Sequence, residues 1–340
     1  MSAERDFSPE SDGHLPSANP FFRKAILAAT NRSFVSGPVR KYGMRLGAAR
    51  FVAGENFDEC VTVLRGLNRE GFRTNTTLLG EGVADEAKAA WVVGEYKAIL
   101  DRIAAEGLVC NIALKLTHLG LDLGEEVAYR NVETLVVHAA SLKNFIRMDM
   151  EDSPRIEVTL RIYERLRAAG HDNTGTVLQS MHYRTGDDLT RLSPLKPNLR
   201  IVKGAYLEPA SVAYQDKADV DRNYVVLTER MLQECSYTGV ATHDERIIDH
   251  VINYADRQGI PSHHFEFQML YGIRSQLQRD LLARGYQVLV AAPHGPEWYF
   301  YLMRRLAERP ANVLFFALRT PFAARPARFL LGPVRGTPSG

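Results

Sequence analysis

Two adjacent arginines, Arg304 and Arg305, carry the plainest chemical signal in this chain. They sit in Trp298 to Asn312, a stretch that opens after a Pro-His-Gly-Pro turn and stops at Pro310, which predicts one short helix. Tyr301 precedes the pair by one turn and Glu308 follows it by one. Residues three and four apart share a helix face, so Tyr301, Arg304, Arg305 and Glu308 form one cluster. Two guanidiniums backed by an aromatic ring suit a planar carboxylate, which arginine takes with forked hydrogen bonds. For an isolated Arg-Arg pair a solvated basic face is the simpler reading, so the rest of the chain has to decide.

Further groups of the right chemistry end apolar runs. Lys115 closes Asn-Ile-Ala-Leu-Lys. A lysine there is either paired with an acid or awaits an anionic ligand, because burying it unpaired is unfavourable. Asp149, in Met148-Asp-Met-Glu-Asp152, is a candidate partner for Lys115. With the two arginines nearby, such a site keeps an excess of cations that a bound carboxylate would match. Arg200-Ile-Val-Lys-Gly-Ala-Tyr206 offers Arg200 and Lys203 to an anionic ring or a phosphate, and Gly204 allows close backbone approach. In Ala241-Thr-His-Asp244, His243 suits either a hydrogen bond to a cofactor or a general base. No second His or Cys stands at metal-ligand spacing from it. Gln179 and Gln268 present amides suited to heteroaromatic edges. Neither a nucleophile elbow nor a phosphate loop is present. The residues point to a carboxylate-bearing substrate beside a large polar cofactor, without a metal. Two other readings compete: a Schiff-base lyase or aldolase using Lys115 or Lys203, and a catalytically silent barrel that binds a carboxylate.

Short apolar or β-branched runs alternate with longer helical segments, the pattern of repeated βα units. The expected strands are 74–79, 109–116, 145–150, 176–179, 200–202, 240–242, 265–267 and 287–290; helical segments include 85–106, 125–142, 157–169, 219–234 and 245–258. Eight such units predict an α/β fold of the closed (βα)8 barrel type rather than an open doubly wound sheet. Glu81, Lys115, Asp149, Gln179, Lys203, His243 and Gln268 all fall at or just past strand C-terminal ends, the face where barrels place their sites. No Gly-x-Gly-x-x-Gly follows a strand, which argues against a Rossmann domain. The expected organisation is a disordered segment over 1–19, an N-terminal helical arm over 20–54, the barrel over 55–318 and a basic, apolar tail over 319–340. With 340 residues, 45% hydrophobic and 24% charged, the chain has a globular composition. A net charge of +2 implies no nucleic acid partner, and three scattered cysteines imply no disulfide framework and a reducing compartment. The first residues lack the apolar core of a signal peptide. The tail, with Arg319, Arg325, Arg328 and Arg335 among phenylalanines, suits an anionic membrane surface; a disordered or barrel-packed tail is the alternative.

The blocks Met148-Asp-Met-Glu-Asp152, Arg200-Ile-Val-Lys-Gly-Ala-Tyr206, Ala241-Thr-His-Asp244, Phe265-Glu-Phe-Gln-Met-Leu-Tyr-Gly272 and Tyr301-Leu-Met-Arg-Arg-Leu-Ala-Glu-Arg-Pro-Ala-Asn312 closely resemble the proline dehydrogenase family. The chain looks like its bacterial monofunctional members over residues 22 to 318, with no room for the aldehyde dehydrogenase domain of the bifunctional ones. The resemblance implies a distorted barrel with FAD across its C-terminal mouth and the last helix above it. It implies oxidation of L-proline to 1-pyrroline-5-carboxylate, electrons passing to a membrane quinone and the product to a separate dehydrogenase. It further implies a cytoplasmic protein with peripheral contact at the inner membrane face. By motif, Lys115, Arg304 and Arg305 would grip the carboxylate, with Asp149 orienting the cations and Tyr301 and Leu270 against the substrate ring. Arg200 would meet the flavin N5 edge, with Lys203, Gly204 and Ala205 along the ring system. Met150, Gln179, Thr242, His243, Gln268 and Glu308 would complete FAD binding, and Glu81 would pair with an arginine of the last helix on closure. One position departs: where the family usually has a tyrosine lining the substrate ring, this chain has Ala291. A roomier pocket, open to hydroxyproline or another cyclic imino acid, is the expected consequence, unless His294 refills the space.

Overall fold

The computed structural model describes residues 48–308, the side chains of 304–308 excepted. The segment 1–19, most of the expected arm and the 319–340 tail lie outside the described residues; at the end of the arm, Ala48–Arg50 forms a short 3-10 turn. The described residues belong to two units, one spanning Arg50–Trp298 and the other including Tyr299–Glu308.

The first unit is a barrel. Its strands are β1 (Arg73–Thr76), β2 (Cys110–Lys115), β3 (Ile146–Asp149), β4 (Thr174–Gln179), β5 (Asn198–Val202), β6 (Tyr237–Ala241), β7 (Phe265–Leu270) and β8 (Val288–Ala291). They pair in sequence order, all parallel, and β8 returns to β1, so the sheet closes. All eight expected strands are present, and the (βα)8 reading holds. The main shifts concern β6 and β7. Gly239 disfavours a strand, yet Thr238 and Gly239 pair with β5 on one side and β7 on the other, and β6 starts at Tyr237. β7 runs on to Leu270 because its later residues pair with β8, which places Gln268 inside the strand.

Four of the described helices begin where side chains satisfy free N–H groups. α1 (Phe57–Arg69) starts at Asn56, which accepts from Glu59 N at 3.0 Å, while Glu59 accepts from Glu55 N at 2.8 Å. Asp85 caps α2 (Glu86–Ala105), accepting from Lys88 N at 2.7 Å. α3 (Glu125–Ser141) follows β2, and α4 (Ser153–Ala168) starts four residues earlier than expected, since Pro154 suits a first turn. α5 (Thr185–Leu192), α6 (Lys217–Glu234), α7 (Glu245–Gln258) and α8 (Ser275–Ala283) complete the ring, Asp216 and Asp244 capping α6 and α7. α9 (Trp298–Glu308) is the expected arginine-bearing helix.

Alternation along the strands sorts the side chains. Ile112, Leu114, Ile146, Met148, Leu199, Ile201, Val240 and Phe267 are fully buried in the main hydrophobic cluster. The alternate set bonds across the interior: Arg147 on β3 to Asn198 on β5, Arg73 on β1 to Glu266 on β7, and Arg200 on β5 to Gln268 on β7. Barrel interiors are more often filled by branched apolar layers. Here the apolar stabilisation lies between strands and helices, each fully buried Leu or Ile contributing about 1.5–3 kcal/mol. Leu114→Ala should therefore destabilise the barrel by about 2–5 kcal/mol, read from the urea midpoint; an unchanged midpoint would mean that this layer does not carry the stability.

Candidate active site at the barrel mouth

The site is built on the C-terminal ends of β2 to β7. Arg200 is its centre. Its side chain is 11% exposed; Nη1 donates to Asp149 Oδ1 at 2.7 Å and Nε to Gln268 Oε1 at 2.5 Å. Among the described residues its third nitrogen, Nη2, is buried without a partner. Gln179, the last residue of β4, donates from Nε2 to the carbonyl of Glu151 at 2.7 Å, and its Oε1 is likewise buried and unpartnered. β4 and β5 pair directly, Val177 opposite Arg200 and Gln179 opposite Val202. Two neighbouring strands thus present one unsatisfied donor and one unsatisfied acceptor, an arrangement that normally signals a missing polar partner. Met150 is buried on the adjoining turn. Beside it the carboxylate of Glu151 accepts from Thr117 N and Oγ1, and burial raises its pKa.

The cations are distributed differently from the expectation. Lys115 and Asp149 are register partners on β2 and β3 but do not pair. Lys115 forms an ion pair with Glu81, from the loop after β1, and Asp149 is engaged by Arg200. The guanidinium reaches Asp149 across the interior with a short charge-assisted bond, which leaves the lysine to the loop acid. Glu81 itself lies five residues past the end of β1 rather than at a strand end, and its Lys115 contact does not test its expected arginine partner. Lys203 meets Asp221 at 2.6 Å and Asp244 at 3.5 Å, and burial lowers its pKa. An ammonium has three donors, so one remains beyond these two acids. Gly204 has φ +115°, and a Cβ there would stand 2.2 Å from Met181 Sδ, so the turn after Lys203 requires glycine. Ala205 is exposed.

His243 Nε2 accepts from Leu270 N at 3.0 Å, which assigns its proton to Nδ1 and makes a neutral ring the bonded form. Thr242 is buried and its hydroxyl accepts from Asp244 N at 3.1 Å. Ala291 stands opposite Leu270 on β7 and Asn75 on β1. His294 does not refill the space beside it. Its Nδ1 lies 2.7 Å from Thr76 Oγ1, on the face of β1 opposite to Asn75, and its ring packs against Phe57 of α1 at 5.1 Å. Tyr301 is half-buried in α9, and the side chains of Arg304, Arg305 and Glu308 lie outside those described.

Reasoning from the sequence missed the acids that hold these cations, namely Asp221 and Glu266. The i, i+2 spacing of Glu266 and Gln268, matching Arg147 with Asp149 and Asn198 with Arg200, is the signal that marks them as one inward face. Cys60, Cys110 and Cys235 are free thiols, each pushed up to about 12 by burial, and so are poor nucleophiles at neutral pH.

The family model for proline dehydrogenase matches residues 60–317. The chain is 43% identical to the proline dehydrogenase of Deinococcus radiodurans over 298 residues, covering 86% of this chain and 96% of that one. It is 42% identical to proline dehydrogenase 1 of Bacillus subtilis subsp. natto, with 86% and 97% covered. The crystal structure of proline utilization A from Bdellovibrio bacteriovorus inactivated by N-propargylglycine superposes with a TM-score of 0.74 at 22% identity, covering 84% of this chain and 36% of that one, a likeness of fold. This chain belongs to the proline dehydrogenase family.

Burial lowers the pKa of both His118 and His294 from the ordinary 6.5 to about 4. The unfolded chain therefore binds more protons between these values, and folding stability falls as pH drops from 6.5 towards 4. His294→Phe should flatten that fall in a urea series from pH 7 to 4.5; an unaltered slope would show that His294 does not enter the unfolding linkage.

Proposed function

We propose that this protein oxidises L-proline to 1-pyrroline-5-carboxylate with FAD as its cofactor and a membrane quinone as final acceptor. The observation that carries the proposal is a pair of buried atoms at the mouth, Arg200 Nη2 and Gln179 Oε1, which have no partner among the described residues. The polar edge of a flavin alternates acceptors with one N–H, so one donor and one acceptor on neighbouring strands suit it, and Lys203, Thr242, His243, Met150 and Gln268 are assigned to the same cofactor. Bound FAD supplies the hydride-accepting chemistry; the protein supplies orientation and charge. Asp149 and Gln268 hold the Arg200 guanidinium so that its positive charge favours the reduced, anionic state. Lys115, Arg304 and Arg305 take the substrate carboxylate, while Tyr301 and Leu270 flank its ring. Anchoring a small ring at one end sets the reacting carbon, which supplies much of the rate in such transfers. Glu81 and an arginine of α9 form the gate, and Glu308 contacts the cofactor. The product passes to a separate pyrroline-5-carboxylate dehydrogenase. Among the described residues no helix is long and apolar enough to cross a membrane; quinone access is assigned to peripheral contact through the 319–340 tail of a cytoplasmic enzyme.

A second reading rests on Ala291 and on the placement of His294 away from it. A pocket bounded there by alanine accepts a substituent on the substrate ring, so hydroxyproline or another cyclic imino acid is a substrate too.

Anaerobic L-proline should bleach the visible flavin absorption of the purified protein, and a folded preparation that takes up no FAD would overturn the proposal. Arg305→Met removes a charge-assisted contact of about 1.5–3 kcal/mol and should raise KM for proline roughly ten-fold or more; an unchanged KM would place the carboxylate elsewhere. Ala291→Tyr should lower kcat/KM for hydroxyproline relative to proline, whereas an equal ratio in both enzymes would refute the wider pocket.

A further inference from the structure

Glu266 sits on β7 two residues before Gln268, 3% exposed, inside a barrel whose centre is already charged. Its Oε1 accepts from Gln268 Nε2 at 2.8 Å, and its Oε2 lies 3.3 Å from Arg73 Nη1, which also donates to Tyr237 Oη at 2.9 Å. The contacts thus run in one chain from Arg73 through Glu266, Gln268 and Arg200 to Asp149.

The order of donors and acceptors along that chain is what matters. A guanidinium offers donors only, so the group facing Arg200 Nε has to be an acceptor. A glutamine amide can face it with either end. A carboxylate offers acceptors only, and by taking the NH2 of Gln268 it turns the amide oxygen towards Arg200. From the opposite side Gly239 on β6 leaves the amide its place, since a Cβ there would stand 2.6 Å from Gln268 Nε2.

We infer that Glu266 is a positioning residue for Arg200: it fixes the Gln268 amide, and through it the direction in which Arg200 presents Nη2 to the cofactor. This rests on the flavin reading above. Glu266 is bonded to Arg73 and Gln268, and its link to the site runs through Arg200, so its influence falls on the flavin's redox behaviour and not on proline affinity. In E266Q the single carboxamide oxygen is drawn to the Arg73 cation and the NH2 faces Gln268. The Gln268 amide then reverses and sets donor against donor at Arg200.

The test compares full-length wild type, E266Q, Q268A and E266Q/Q268A as holoenzymes, measuring the flavin midpoint potential, the rate constant of flavin reduction by proline, and KM for proline. E266Q should shift the potential to a more negative value and slow reduction about five-fold or more, with KM changed less than about two-fold; in the Q268A background it should change neither further, the signature of two residues acting as one unit. Wild-type potential and rate in E266Q would overturn the inference, as would an equal effect of E266Q with and without Gln268, because Glu266 would then act by another route. Should E266Q fail to fold, Gly239→Ala, which drives a methyl into the same amide, should produce the same losses; wild-type values there would equally overturn it. The outcomes separate from those of the flavin proposal, because wild type whose flavin proline does not bleach defeats that proposal, whereas bleaching in wild type with an indistinguishable E266Q defeats only the role of Glu266.

Discussion

A guanidinium inside a β-barrel imposes its requirements on everything around it. Arg200 is nearly buried, and a buried charge is tolerated only with partners. It finds an acid on β3 and an amide on β7, each one strand removed from its immediate neighbours. That demand explains why the inward faces of β3, β5 and β7 are polar, and why the apolar packing that stabilises the barrel lies between strands and helices. The interior is a framework of matched donors and acceptors, and among the described residues it leaves one arginine nitrogen unmatched where a ligand can complete it.

The same accounting governs the other cations. Lys115 and Lys203 are each held by carboxylates, so neither is an isolated positive charge waiting in the mouth. An anionic ligand at Lys115 would share the lysine with Glu81 or displace it, which couples the loop after β1 to occupation of the site. Lys203, gripped by Asp221 of α6 and Asp244 at the start of α7, ties two helices to the end of β5. The neutral His243, accepting from the Leu270 backbone, does the corresponding work between β6 and β7.

The end of β8 is shaped by a small side chain. Ala291 contributes no more than a methyl at the end of β8, next to Leu270 and Asn75. His294 follows three residues later and its ring packs in the layer between β1 and α1, held by Thr76 and Phe57. The two side chains therefore shape one layer each: the interior holds only a methyl at 291, and the outer layer holds a buried neutral imidazole at 294.

Much of this was legible along the chain. Eight apolar runs spaced by helical segments favoured a closed barrel over an open sheet, and the polar residues in phase at their ends marked its mouth, because the repeat and its phase follow from local periodicity. The family blocks around Asp149, Arg200, His243 and Gln268 were equally plain. Partners were another matter. Lys115 and Asp149 share a register and looked like a pair, but which carboxylate a cation reaches depends on distances across the barrel that no spacing along the chain encodes. Glu266 carried a signal, its i, i+2 relation to Gln268, yet only closure of the sheet brought Arg73 and Arg200 to its two ends. The direction of the His294 ring was undetermined for the same reason: alternation says which face a strand residue takes, whereas His294 lies beyond its strand, and the packing of α1 decided where its ring would go.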